Sequence, residues 1–209
     1  MATILRDLSY RYQWLYDSIS RVAALAVGGE ERFRQLALQA IDWQPETRVL
    51  DLCCGWGQTT ALLVERSHRV TGLDASPKAL ARARSAVPQA TYIEAFAEAM
   101  PLADCSMDVV HSSAAMHEMS AEQLRQIFQE VHRVLVPGGW FVFTDFHAPT
   151  NPLLWPGVAV FFWLFETETA WAFVQTDLPA LLESIGFGNI TQQFHAGGSV
   201  QVLRAQKLP

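Results

Sequence analysis

VLDLCCGWGQTT, Val49 to Thr60, decides how the rest of the chain is read. A short apolar run, Val49, Leu50 and Leu52 with one acid, Asp51, enters a turn holding Gly55 and Gly57, and Thr59 to Val64 reads as the opening of a helix. Strand, glycine turn and helix in that order form the first unit of a nucleotide-binding α/β sheet. Glycines let the backbone come close to a ligand, and the free amides of the helix start face the same crevice.

The pattern repeats downstream. Arg69 to Leu73 reads as a second strand ending in Asp74, and Ser76-Pro77 starts a helix with Ser76 as its cap. An acid at that strand end can accept hydrogen bonds from ribose hydroxyls; the plainer alternative is a capping residue. Thr91 to Ala95 and Asp108 to His111 read as the third and fourth strands, with Phe96 to Leu102 as a loop between them. Ser120 caps a helix through Leu124, Ile127, Phe128, Val131 and Leu135, and Pro137-Gly138-Gly139 turns into a fifth strand, Trp140 to Asp145. Five βα repeats imply a parallel sheet with right-handed crossovers. After Asp145 the alternation stops, and His147 to Phe173 reads as an irregular, aromatic-rich insertion. A helix from Asp177 to Ile185 ends at Gly186, and strands Asn189 to His195 and Ser199 to Ala205 pair around Gly197-Gly198, which makes the sheet mixed. Ahead of Pro45, Leu15, Ile19, Val22 and Ala23, then Phe33, Leu36, Ala37 and Ala40, predict two amphipathic helices separated by Gly28-Gly29. They serve either as a packing layer on the sheet or as a lid over the crevice.

At 209 residues, half apolar and 17% charged, the chain fits a single domain, 1–209, with a helical segment at 1–44 and the aromatic insertion at 146–175. A net charge of -6 argues against nucleic acid as a partner and for a small or neutral substrate. Cys53, Cys54 and Cys105 offer no CxxC spacing and no paired disulfide framework, so a reducing, cytoplasmic setting is expected. The start lacks a basic stretch followed by an apolar one, the pattern of a secretory signal. Leu153 to Phe165 is the most apolar run; it is too short for a transmembrane segment, which needs roughly 20 residues, but leaves peripheral membrane contact open. Oligomeric state is not legible. His111, His117 and His132 are scattered over strand, loop and helix, and no metal is expected. His117 and His147 differ, because both fall at carboxyl ends of strands, where open α/β sheets bind ligands. Each is either a general base or a hydrogen-bonded pocket histidine.

The set VLDLCCGWG, VTGLD, AEAMPLADCSMD and HRVLVPGG, in that order, resembles the class I S-adenosylmethionine-dependent methyltransferases. Within them the chain is most similar to the C-methyltransferases of ubiquinone and menaquinone biosynthesis. Tyr16-Asp17 ahead of a helix pair, Cys53 where many methyltransferases have glycine, and the tail GFGNITQQFHAGGSVQVLRAQK carry that likeness. The resemblance implies a Rossmann-like, seven-stranded mixed sheet with its last strand antiparallel, helices on both faces and an N-terminal helical segment. It also implies S-adenosylmethionine as cofactor and a hydrophobic, aromatic or quinone-like acceptor.

Carried over by position, Asp51, Gly55 and Gly57 approach the methionyl part of the cofactor, with Thr60, Cys53 and Tyr16 near it. Asp74, followed by Ala75, holds the ribose hydroxyls. Phe96 and Ala97 lie by the adenine, and Ser113 lines the methyl-transfer side. Phe96 departs from the family, which commonly has a polar residue there. An aromatic ring can stack but cannot accept the adenine amino hydrogen bond, which leaves Glu98 or backbone amides for that contact. The family builds its acceptor pocket after the fifth strand, where this chain has its aromatic insertion. The basic and tyrosine-rich features expected there are missing, and His147-Ala148-Pro149 stands where Lys-Pro is common, which disfavours a prenylated quinone over another hydrophobic small molecule. Another small-molecule or protein acceptor, or a non-catalytic protein retaining the fold, remains an alternative. A nicotinamide-dependent oxidoreductase fits poorly, because Asp51 lies inside the strand and the third fingerprint glycine is absent.

Overall fold

A computed structural model describes residues 28–39, 41–165 and 167–209, without the side chains of 164 and 165. Tyr16 and the first expected helix lie outside the described residues. Those residues form one sheet of seven strands: β1 (Arg48–Leu52), β2 (Arg69–Asp74), β3 (Thr91–Glu94), β4 (Met107–Ser113), β5 (Leu135–Phe146), β6 (Phe187–His195) and β7 (Val200–Lys207). Their order is β3-β2-β1-β4-β5-β7-β6. All neighbouring pairs from β3 to β5 are parallel, and β7 runs antiparallel to both β5 and β6.

The helices are α1 (Glu30–Leu38), α2 (Gln58–Leu63), α3 (Pro77–Ala86), α4 (Ala121–Val134), α5 (Trp155–Phe165), α6 (Glu168–Phe173) and α7 (Leu178–Ile185). Their starts follow local chemistry. Ser76, Ser120 and Asp177 each accept a hydrogen bond from a backbone N–H three residues on, and at α4 the Ser120 N–H donates in turn to Gln123 Oε1 to close a capping box. Gly186 ends α7 in the left-handed conformation.

Alternation along the strands divides the core in two. Leu50, Leu52, Val110, Phe141, Phe143 and Leu203 meet the apolar side of α4 (Leu124, Ile127, Phe128, Val131) together with α6 and α7. On the other face, Ala37 of α1 packs with Val109, Val142 and Val202, and Leu38 packs with Val49, Leu63 and Val70. Arg48 pins the entry edges of β1 and β4 together. Its backbone N–H, Nε and Nη2 reach the Asp108 carboxylate at 2.7, 2.9 and 2.6 Å.

Three expectations are corrected. The count of five βα repeats falls by one, because β3 reaches β4 through the loop expected there and no helix stands between them. Pro137-Gly138-Gly139 lies within β5 as an irregularity: the pairing jumps from Met107 with Leu135 to Val109 with Trp140, and Gly138 takes φ 81°. The aromatic stretch is ordered as α5 and α6. Its apolar residues run continuously without a face, so periodicity could not report a helix whose inner side packs on protein.

Candidate active site

The carboxyl ends of β1, β2, β3, β4 and β5 form one rim. Gly57 (φ 84°) is the cap of α2, and Gly55 (φ 54°) precedes it, both in the left-handed region. A Cβ on Gly57 would meet Ala83 at 3.3 Å, whereas one on Gly55 would meet nothing within 4 Å among the described residues. A side chain at Gly57 would thus crowd Ala83 by a few tenths of an ångström, while at Gly55 the described residues leave open space at the rim. Asp74 binds this turn from β2: one carboxylate oxygen accepts from the Gly55 N–H at 2.8 Å and the other from the Ser76 N–H at 2.8 Å. Each oxygen keeps acceptor capacity for a ligand hydroxyl. Ala75 beside it is exposed.

Asp51 lies beneath the turn, only 1% exposed. Its two oxygens are engaged by the Thr60 hydroxyl at 2.6 Å and His111 Nδ1 at 3.0 Å. The other ring nitrogen, His111 Nε2, is buried with no hydrogen-bond partner among the described residues. Asp51 and Thr60 therefore brace the first turn of α2 from below. Cys53 takes φ 57°, a conformation that costs a residue with a Cβ about 1–3 kcal/mol. Burial, then the charges of Asp74 and Asp51, push its thiol up to about 12, and burial raises Cys54 as well. Both are protonated near neutral pH and act as small packing groups. The Cys54 sulfur and the Tyr92 ring fill the space over Gly72, where a Cβ would lie 2.9 and 2.8 Å from them.

Past β3, Phe96 is 70% exposed, a large apolar ring standing at the rim, while Ala97 is buried beneath it. Glu98 accepts from Gln123 Nε2 at 2.7 Å. The rest of this loop is held from below by Arg133, which donates to the carbonyls of Met100 (2.9 Å) and Leu102 (2.7 Å) and pairs with Glu130 and Asp104. The Glu130 carboxylate accepts in turn from the Met100 N–H at 2.8 Å.

β4 ends at Ser113, whose hydroxyl is buried with no hydrogen-bond partner among the described residues. Ala114, at φ 51°, then bends the chain into a single 3-10 turn, Met116–Glu118. Asp145, buried on β5, organises that turn. It accepts from the N–H groups of Met116 (2.8 Å) and His117 (3.3 Å) and from His117 Nδ1 at 2.6 Å. With Nδ1 turned to Asp145, His117 Nε2 is the ring's other nitrogen, 3.8 Å from Glu118 Oε1. Phe146 packs on the His117 ring at 4.5 Å and meets Phe161 and Phe162 of α5 at 5.9 and 5.4 Å. The imidazole thus borders the aromatic segment. His147 faces elsewhere: its Nδ1 lies 2.9 Å from the Gly198 carbonyl, and its ring packs on Phe194 at 4.4 Å. The structure does not bring the two histidines together.

Asp145, His111 and Arg133 were not singled out by sequence. Asp145 had a signal, an acid at the carboxyl end of a strand like Asp74; the partners of His111 and Arg133 lie some sixty and thirty positions away, so only the register of the strands reveals them. Among the described residues no group of His, Cys, Asp and Glu could hold a metal ion, and no helix is long and apolar enough to cross a membrane. The rim does suit a nucleoside bearing an amino-acid tail. There is room beyond Gly55, the Asp74 carboxylate stands at the second strand, Phe96 offers a flat face, and the orphaned Ser113 hydroxyl sits at the fourth.

Comparison with known proteins agrees. Residues 49–139 match the family described as a methyltransferase domain. Over 206 residues, 99% of this chain and 97% of the relative, the sequence is 52% identical to an uncharacterized methyltransferase of Synechocystis sp.. It is 34% identical to a demethylmenaquinone methyltransferase of Chlorobaculum parvum, over 66% of this chain and 58% of that one. It is also 29% identical to a 2-phytyl-1,4-naphtoquinone methyltransferase of Thermosynechococcus vestitus, over 98% and 100%. A crystal structure of an S-adenosylmethionine-dependent methyltransferase from Mesorhizobium loti shares the fold, with a TM-score of 0.64 at 24% identity over 83% of this chain and 97% of that one. Sheet order, antiparallel last strand and these relatives place the chain in the class I S-adenosylmethionine-dependent methyltransferases.

Proposed function

We propose that the protein methylates a hydrophobic, flat small molecule of aromatic or quinone-like type, with His117 as general base oriented by Asp145. The observation that carries this reading is the His117–Asp145 pair at 2.6 Å, packed against Phe146 and through it against α5. Asp74 would hold the ribose hydroxyls of the cofactor, the Gly55 turn its amino-acid end, Phe96 and Ala97 its adenine, and Ser113 the methyl-transfer side. When bound, the cofactor supplies a sulfonium methyl group that is already electrophilic. The protein therefore has to align an acceptor at near contact and exclude water, and alignment accounts for much of the acceleration. A phenolic or hydroquinone acceptor becomes a better nucleophile as its hydroxyl proton passes to Nε2 of His117. Asp145 holds the ring in the tautomer that allows this and stabilises the imidazolium that results. The quinone methyltransferases among the relatives support a quinone-like acceptor, while His147-Ala148-Pro149, standing in place of Lys-Pro, leaves its tail open.

The test is transfer of a labelled methyl group from S-adenosylmethionine to a lipid extract and to a protein extract. Label in the lipid fraction alone supports the small-molecule reading; label in protein alone overturns it.

A further inference from the structure

We infer that the outer face of α5 is a docking surface for a membrane of uncharged or zwitterionic lipids, which brings the site to the bilayer interface. Among the described residues seven large apolar side chains are well exposed, and four of them, Leu153, Leu154, Val160 and Trp163, come from this one short stretch. Leu153, Val160 and Trp163, exposed at 85%, 56% and 70%, recur with helical spacing along one side of α5 and its leading 3-10 turn. Phe161 and Phe162 on the inner side pack against Phe146.

Charge selects the occupant. From His147 to Phe165 there is no Asp, Glu, Lys or Arg, and the first charged residues to follow are acids, Glu166 and Glu168, so the stripe itself carries no charge and, apart from the Trp163 indole N–H, no side-chain donor or acceptor of its own. Protein partners meet a surface through a polar rim and directional hydrogen bonds; an uncharged apolar stripe with an indole complements acyl chains and the lipid carbonyl layer. The net charge of -6 opposes binding to anionic headgroups. Eleven residues make a helix about 16 Å long, which suits lying in the interface and not crossing it. The docking stands on the stripe itself; passage of a lipophilic acceptor from bilayer to His117 rests on the function proposed above.

The experiment is flotation of the full chain with phosphatidylcholine vesicles, read by bound fraction and not by turnover. Wild type is expected to float, with phosphatidylglycerol giving no gain. Leu153→Glu, Val160→Glu and Trp163→Glu should each lower the partition coefficient about tenfold or more, with the melting temperature and cofactor affinity unchanged. Trp163→Ser, milder in the fold, should lower it about threefold or more. Absence of wild-type flotation, or variants that float equally well, would overturn the inference. So would binding that appears only on phosphatidylglycerol and is lost with salt, or a dimer in light scattering that Trp163→Glu dissociates. If the vesicles bind but no lipid extract accepts label, docking survives and the proposed acceptor class fails.

Discussion

His117 and Asp145 lie 28 positions apart in sequence, and their Nδ1 and Oδ1 atoms stand 2.6 Å apart at the ends of adjacent strands. The carboxylate that orients the ring also accepts from the two N–H groups of the turn carrying it. His117→Ala is expected to lower kcat by roughly 10²–10⁴ if the base matters as argued, with cofactor affinity nearly intact. His147→Ala, which removes a tie to Gly198, should leave kcat within a few-fold of wild type. Steady-state kinetics with cofactor titration on both variants checks this. Equal turnover in all three proteins would make catalysis purely positional.

Asp74 joins the turn after β1 to the end of β2 and keeps lone pairs for a ligand hydroxyl. Asp74→Ala should weaken cofactor binding by about 2 kcal/mol or more, through lost charge-assisted hydrogen bonds. Calorimetric titration measures it, and an unchanged dissociation constant would remove Asp74 from the site. Asp74→Asn retains an acceptor and should lose less.

Gly72 matters through packing alone. Because an added Cβ would fall 2.8 Å from the Tyr92 ring and 2.9 Å from the Cys54 sulfur, Gly72→Ala should destabilise the fold by about 1–3 kcal/mol. Tyr92→Leu, which opens that space, should recover part of it. Urea unfolding of the single and double variants decides whether the two residues are coupled.

The parts of this protein written locally were legible in the sequence. The glycine turn, the acid ending the second strand, the Ser76 and Ser120 caps and the final hairpin each depend on neighbours a few residues apart, and each stands where it was expected, while Asp177, expected as the first residue of its helix, is its cap. What escaped was written in the register between strands. His111 faces Asp51 because β4 pairs with β1, and Asp145 reaches His117 because β5 pairs with β4. The helix α5 escaped for another reason: a segment apolar on every side carries no period.

The loop that carries Phe96 to Leu102 depends on a surface ion pair whose titration can be followed. The Arg133 hydrogen bond, ahead of the cost of burial, holds the Glu130 carboxyl below its ordinary value of 4.5. A carboxyl depressed in the folded state adds stability that is complete above its unfolded value and disappears as pH falls through the folded one. Wild type should therefore lose stability below about pH 4.5 more steeply than Glu130→Gln. Thermal melts between pH 3 and 7 give both curves, and parallel curves would show that Glu130 contributes nothing to the acid limb.

The central claim is that a cofactor lies across the rim where Gly55 leaves room. Asn tolerates the left-handed backbone that Gly55 adopts, at φ 54°, so Gly55→Asn fills that room without forcing the turn. Calorimetric titration of S-adenosylhomocysteine into wild type and Gly55→Asn, both shown folded by circular dichroism, is the most direct measurement. The account predicts micromolar-range binding to wild type, weakened about tenfold or more in the variant. Equal affinities would contradict it.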